Sequence, residues 1–530
     1  MAAAALAAAL VAFGQLMGWR GVDTAAQVYR IDSFRHGGFT LWDPSWYGGH
    51  WTLDYSVLYP PLASTFGMVT LAVVSAAVAA LAFDRLARRH LGSGGPAASY
   101  LFAGGTLVTA SIGQLTFLTG EAFGLAALWA LGRRRYRSAA ALALGCTFTS
   151  PLTGAFLALA AVAWTADRAA AGERRALLTG GGLAVLAALP IMVSATVFPG
   201  DGPMPYPPID WLWEVVVAAA IGLLAGRRHR AVAVGAALFV AAATVSELVP
   251  SALGGNVGRI EDMVSLPLAV GLAWTRLPVL LPVAAVPLAL SQWAPAWGAV
   301  TAAPVAASAH RSFYASLDRE LTVHGARGPA GRVEVVPTAW HWEAAYVAPT
   351  MPLARGWERQ LDEADNGIFY APGRLDPGSY RAWLLDNGVR FVALPASRLD
   401  MAGAAEGRLV ASGQVTGLRL VWRSATWRLY SVAGSPGIVS GPADLVRAVG
   451  GQVVLDAREA GEVTVRYRWS PDWVVTAGAG CVVRQGQWLE VDAAAPGPVR
   501  LGLSVLDPDH SACPPAALAG PASGGTSARS

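Results

Sequence analysis

Four carboxylates in one polar stretch are the groups of this chain best suited to chemistry. The stretch, residues 19–62, reads WRGVDTAAQVYRIDSFRHGGFTLWDPSWYGGHWTLDYSVLYPPL. It holds Asp23, Asp32, Asp43 and Asp54 beside Arg20, Arg30, Arg35, His36 and His50. It lies between two apolar runs, so it reads as a long loop just outside a membrane. Loops of this length without structure of their own are uncommon and often functional.

Asp23 follows the first apolar run by a few residues and is expected at the membrane surface. A carboxylate there can act as a general base on a hydroxyl acceptor; the bland alternative is a solvated acid or a partner for Arg30. Arg30, Arg35 and His50 suit an anionic lipid head group, because Arg grips phosphate bidentately. The alternative is surface charge balancing Asp32 and Asp54. Trp42, Trp46, Tyr47 and Trp51 can stack on a sugar face or form an interfacial aromatic belt. Two later groups join them. Arg259 closes GGNVGR at the start of an apolar run, beside Glu261 and Asp262, and Glu121 stands in TGEAFG. A charge at such depth is costly and usually marks a site; a structural Arg259–Glu121 ion pair is the alternative. The candidates are thus Asp23 for catalysis, Arg259, Arg30 and His50 for phosphate, and Glu121, Trp46, Tyr47, Trp51 and Asp54 for substrate.

The elements that must position these residues follow from composition. Of 530 residues 54% are hydrophobic and only 14% charged, against about 25% charged in a soluble protein. The apolar excess lies before residue 305, in runs that read as membrane spans. Basic clusters follow at 85–90, 133–137, 168–175, 227–230 and 276. All fall on one side of an alternating path of eleven spans, which the positive-inside rule makes cytoplasmic. The N-terminus is then inside a cytoplasmic, multi-pass membrane protein, with the first loop and the C-terminal part outside. All 39 basic residues are Arg and the net charge is +4, which gives no reason to expect nucleic acid.

From about His310 the pattern changes. Residues 309–432 read as a small α/β domain, with strand-like GRVEVVPTAWHWEAAYVAP and NGVRFVALP and a short helix in SYRAWLLDNG. Residues 437–506 alternate like a β-sandwich of a few strands, and 507–530 are disordered by composition. Cys146 lies in a span. Cys481 and Cys513 lie in the exported sandwich, where a disulfide is permitted. No zinc spacing, Walker motif or dinucleotide fingerprint stands in context, so no cofactor is called for, although a divalent metal is compatible with the acids.

Asp23 just past the first span, followed by WDPSWYGGH and YSVLYPPL leading into the second, resembles the multi-spanning glycosyltransferases of the GT-C fold. The pattern is also similar to YfhO-like membrane proteins and to actinobacterial arabinofuranosyltransferase-type proteins. HWEAAYVAP, LARGWERQLD and DNGVRFVALP resemble the exported part of actinobacterial membrane proteins of the same group. The resemblance implies a mainly α, GT-C-like membrane domain over 1–304. It also implies a polyprenyl-phosphate-linked sugar as donor, an envelope glycan or lipid as acceptor, and membrane lipids as surroundings. The family's first-loop acid maps to Asp23; a second family acid has no counterpart here. Two other readings stay open: a transporter or flippase of a lipid-linked envelope intermediate, and a non-catalytic envelope scaffold. No internal repeat supports the transporter.

Overall fold

The apolar first half folds into helices because its runs are dominated by Ala and Leu, which lose little side-chain freedom there. The computed structural model describes residues 1–53, 55–198, 202–275, 279, 281–325, 330–505 and 512–513. In chain order come α1 (Ala2–Leu16), α2 (Asp23–Gly37), the ribbon β1 (Trp42–Asp43) and β2 (His50–Trp51), and α3 (Tyr59–Phe66). The apolar bundle continues with α4 (Met68–His90), α5 (Gly95–Ile112), α6 (Leu115–Gly132), α7 (Tyr136–Thr149), α8 (Pro151–Ala170) and α9 (Arg175–Val197). It ends with α10 (Pro208–Ala225), α11 (Arg230–Leu248), α12 (Arg259–Ala273) and α13 (Leu281–Trp293).

Five of these helices, α4, α6, α9, α10 and α11, are long and apolar enough to cross a membrane. The tally of eleven also counted α5 and α8, which are not among the five, and the shorter α1, α7, α12 and α13. Those have 15, 14, 15 and 13 residues and reach about 20–23 Å at 1.5 Å per residue, short of a hydrocarbon core of about 30 Å. The basic clusters gather at one end of the bundle: Arg89, closing α4, donates to Gly132 O at 3.3 Å beside the cluster that precedes α7. Arg276 lies outside the described residues. The break expected at Pro151 is the α7–α8 junction, where Ser150 caps α8 by accepting from Thr153 N.

The polar stretch 19–62 is not a structureless loop, since α2, the β1–β2 ribbon and the start of α3 lie in it. Its charges interrupt every apolar run, so it carries no spanning signal, yet α2 buries Asp23, Thr24, Gln27 and Tyr29. Part of what covers this stretch is the C-terminal half: Tyr29, Trp46 and Tyr47 share a core with Phe313, Tyr314, Trp342 and Trp427.

After α14 (Trp297–Thr301), the C-terminal half opens with α15 (Arg311–Val323) and a four-stranded sheet. Its strands are β3 (Arg332–Val335), β4 (Val389–Pro395), β5 (Leu418–Arg423) and β6 (Trp427–Val432), in the order β3-β4-β6-β5. β3 and β4 are parallel and the other pairs antiparallel. The crossover between them carries α16 (Glu343–Tyr346), α17 (Arg359–Asp365) and α18 (Pro377–Asp386), and α19 (Met401–Ser412) follows β4. Next come β7 (Val439–Ser440), β8 (Ala443–Val449), β9 (Gln452–Ala457) and β10 (Gly461–Arg468). The last strands are β11 (Trp473–Ala477), β12 (Gly480–Gln485), β13 (Trp488–Ala493) and β14 (Gly497–Leu503). They form two antiparallel sheets, β12-β13-β10-β7 and β11-β14-β9-β8. Trp42 of the first stretch enters their shared core, edge-on to Tyr467 and Trp473.

Of the expected disordered tail only Ala512 and Cys513 are described; the rest lies outside the described residues. Cys513 is disulfide-bonded to Cys481 of β12, with Cα atoms 4.9 Å apart, and Cys146 is free and buried. Closing a loop of this length restricts the unfolded chain. Replacing both cysteines with Ser is therefore expected to cost about 3–4 kcal/mol, read as earlier unfolding of the sandwich in denaturant. Labelling of both thiols in the folded, non-reduced protein would contradict the pairing.

Candidate functional site

A cavity of about 840 Å³ opens between helix ends of the apolar bundle and the C-terminal α/β domain. One wall is apolar, with Leu152 and Ala155 of α8, Ile191 and Ala195 of α9, and Phe198. The other is charged and aromatic, with Asp23, Tyr55, Arg259, His341, Trp357, Glu358 and Arg359.

Asp23 is the first residue of α2, where the helix N-terminus favours a carboxylate. Its turn is fixed from two sides: Gly21 N donates to Ser111 O at 2.7 Å, and Trp357 Nε1 donates to Val22 O at 2.9 Å. Arg259 opens α12 and brings its guanidinium to 3.9 Å from the Asp23 carboxylate. Burial pushes the Asp23 pKa above the ordinary carboxylate range; Arg259, then His341 and a hydrogen bond from Gln114, pull the other way without cancelling it. The result is a carboxylate more basic than a solvated one.

His341 lies between two acids. Nε2 is 3.4 Å from Asp400 Oδ2, and Nδ1 is 3.5 Å from Glu343 Oε1. Burial disfavours its charged form, but Asp400 and Glu343 outweigh that and raise the imidazole pKa. Arg359 reaches the same Asp400 at 3.1 Å. Burial alone would raise the Asp400 pKa, yet His341 and Arg359 hold it well below the usual range. Asp400 also caps α19 through Ala402 N, which locks this row of charges to the domain's frame.

The sequence candidates divide sharply. Asp23 and Arg259 face each other across the cavity. The Arg259–Glu121 pair does not form, and Glu121 sits in α6 away from the cavity lining. Arg30 stands behind the charged wall, paired with Glu358 and 3.6 Å over the Tyr55 ring. His50 is buried, stacked on Trp46 at 5.3 Å. Trp46 and Tyr47 are fully buried, so neither offers a face to a sugar; the Tyr47 hydroxyl donates to Glu358 O at 2.8 Å. Trp51 packs on Phe198 at 5.0 Å, beside the cavity without lining it. Asp54 lies outside the described residues. Arg30 and Tyr47 read as free for a substrate because their shared partner, Glu358, lies about 300 residues away in sequence. The tight return at Gly49 has φ 113°, and a Cβ there would stand 1.6 Å from Trp42 Cζ2.

Sequence reasoning missed His341, Trp357, Glu358, Arg359 and Asp400 as site residues. The signal lay in HWEAAYVAP and LARGWERQLD, where charges and tryptophans crowd one short run. The donor set does not fit a divalent metal at the cavity. Its carboxylates, Asp23 and Glu358, each face a guanidinium. Among the described residues the one close group of three ligand types is Cys481, Asp492 and Cys513, whose sulfurs are spent in the disulfide.

The His341 contacts set a pH dependence of stability. With a folded pKa above the unfolded value of about 6.5, its contribution is full below that value and lost as pH rises through the folded pKa. Thermal melts of the wild type should fall through that window, and His341→Gln should flatten the profile. An unchanged profile in the variant would contradict the charged imidazole.

No protein-family model matches the sequence, and none of the curated proteins matches it.

Proposed function

We propose that this chain is a membrane glycosyltransferase of GT-C type that moves a sugar from a polyprenyl-phosphate donor to an envelope glycan or lipid. The observation that carries the reading is the Asp23 carboxylate opposite Arg259, in a cavity with one charged and one apolar wall. A lipid phosphate needs both walls: cations for the phosphate and an apolar surface for the chain.

The residues divide the reaction between them. Asp23 takes the proton of the acceptor hydroxyl as its oxygen bonds to the anomeric carbon. The bond from that carbon to the phosphate oxygen breaks, and polyprenyl phosphate leaves with the electron pair. Arg259, Arg359 and the His341 imidazolium stabilise the charge growing on the leaving oxygen. Arg359 and His341, which line the cavity, take the phosphate role first assigned to Arg30 and His50, which do not. The raised pKa of Asp23 suits a base.

The position of the basic clusters supports an outer-face site under the positive-inside rule. In this reading α5 and α8 also cross, the bilayer thins around the shorter α1, α7, α12 and α13, and together they complete an eleven-span domain in the cytoplasmic membrane, with the N-terminus inside and the exported domains capping the cavity.

Asp23→Asn is expected to lower transfer by roughly 10²–10⁴-fold in purified protein given a radiolabelled polyprenyl-phosphate sugar, while donor binding survives. Wild-type transfer by that variant would sink the assignment. Arg259→Ala should instead weaken donor binding, and more steeply as salt rises. For topology, an alkaline phosphatase reporter fused after Val432 should be active; activity only of a cytoplasmic reporter there would contradict the outward placement.

A further inference from the structure

A second cavity, of about 510 Å³, lies at the far end of α2 from Asp23. It is bounded by Asp32, Arg35 and His36 of α2, Met68 at the start of α4, and Arg311 and Tyr346 of the exported domain. Twelve residues of helix separate Arg35 from Asp23, about 18 Å at 1.5 Å per residue, so this is a separate site.

Its charge is unbalanced. Two guanidiniums and an imidazole face one carboxylate. Asp32 already has a partner: His36 Nδ1 lies 2.9 Å from its backbone oxygen and 3.5 Å from its carboxylate. Arg35 makes only a 3.4 Å contact with Ser64 O, and neither Arg35 nor Arg311 forms an ion pair among the described residues.

Its position is equally informative. Met68 opens α4, one of the helices long and apolar enough to cross a membrane. No side chain caps that helix start, so its dipole adds positive potential at the cavity. Phe39 and Phe66 close by expose 54% and 60% of their surface to what lies outside the protein. A cationic pocket with exposed phenylalanines at the mouth of a span matches the boundary where lipid phosphates sit.

We propose that this cavity binds the phosphate of an anionic phospholipid head group, with Arg35 and Arg311 as its ligands. Because Arg35 belongs to α2, Met68 to α4 and Arg311 to α15, the bound lipid sits where the first polar stretch, a spanning helix and the C-terminal half meet. The proposal does not rest on the transferase reading, since it invokes neither Asp23 nor Arg259.

The test uses the full chain in nanodiscs of mixed phosphatidylcholine and phosphatidylglycerol, with native mass spectrometry after transfer to detergent. The wild type is expected to retain phosphatidylglycerol over phosphatidylcholine. Arg35→Gln with Arg311→Gln, which removes both charges but keeps a polar amide, should lower that retention by about tenfold with an unchanged melting temperature. Arg35→Ala with Arg311→Ala should behave alike. Inorganic phosphate that leaves the lipid in place supports a head-group site, whereas displacement of the lipid by inorganic phosphate overturns it. No preference in the wild type, or wild-type retention in a folded double variant, also overturns it.

Discussion

The ion pair between Arg30 and Glu358 is the contact on which the candidate site depends. Its partners are 328 residues apart, and their side chains are only 10% and 9% exposed. Removing either would strand a buried charge, at a cost of about 3–5 kcal/mol. Around the pair, Tyr55 stacks on the guanidinium, Tyr47 donates to Glu358 O, and Trp357 donates to Val22 O. Together these contacts hold the first outer stretch and the segment 355–360 as one wall. Asp23 and Arg259 meet because that wall is closed.

The wall is also braced from behind. Arg355 is buried with three carboxylates, at 3.1 Å from Glu334, 2.8 Å from Glu406 and 3.5 Å from Asp362. One guanidinium cannot balance three buried charges, and burial raises the pKa of both Glu334 and Glu406 so that they share protons. Tyr380 donates to Glu406, Tyr370 and Asn366 donate to Asp362, and Trp383 donates to Asn366. Glu334 Oε2 is left without a partner, but a network tied by this many hydrogen bonds is rigid. Rigidity matters here, because Trp357, Glu358 and Arg359 follow one residue after Arg355 and line the cavity. Groups aimed at developing charge work best when they need not reorganise.

How much of this was legible varied with what covers each residue. The change at about His310 from long apolar runs to alternating ones was readable, because burial in lipid and burial in a small sheet leave different periods. Asp23 and Arg259 stood out because a charge beside an apolar run is rare and costly. Trp46, Tyr47 and His50 were misplaced for the opposite reason: an aromatic looks the same in sequence whether it faces a sugar or a distant domain. Arg30 was assigned to phosphate because its partner, Glu358, carries no local mark of the pairing. α2 was read as loop because its buried face is polar and small, with Thr24, Ala25, Ala26 and Gln27 where an apolar stripe was sought. His341 and Arg359 lay in runs already noted as unusual, but only the fold places them against Asp23.

The account makes one central claim, that Asp23, Arg259, His341 and Arg359 form one lipid-phosphate site. The most direct measurement is a cryo-electron microscopy structure of the protein in nanodiscs with added polyprenyl phosphate. The account predicts phosphate density within hydrogen-bond reach of Arg259 and of Arg359 or His341, with the chain along Leu152 and Ile191. Phosphate density away from these cations, or a cavity still empty at saturating lipid, would contradict it.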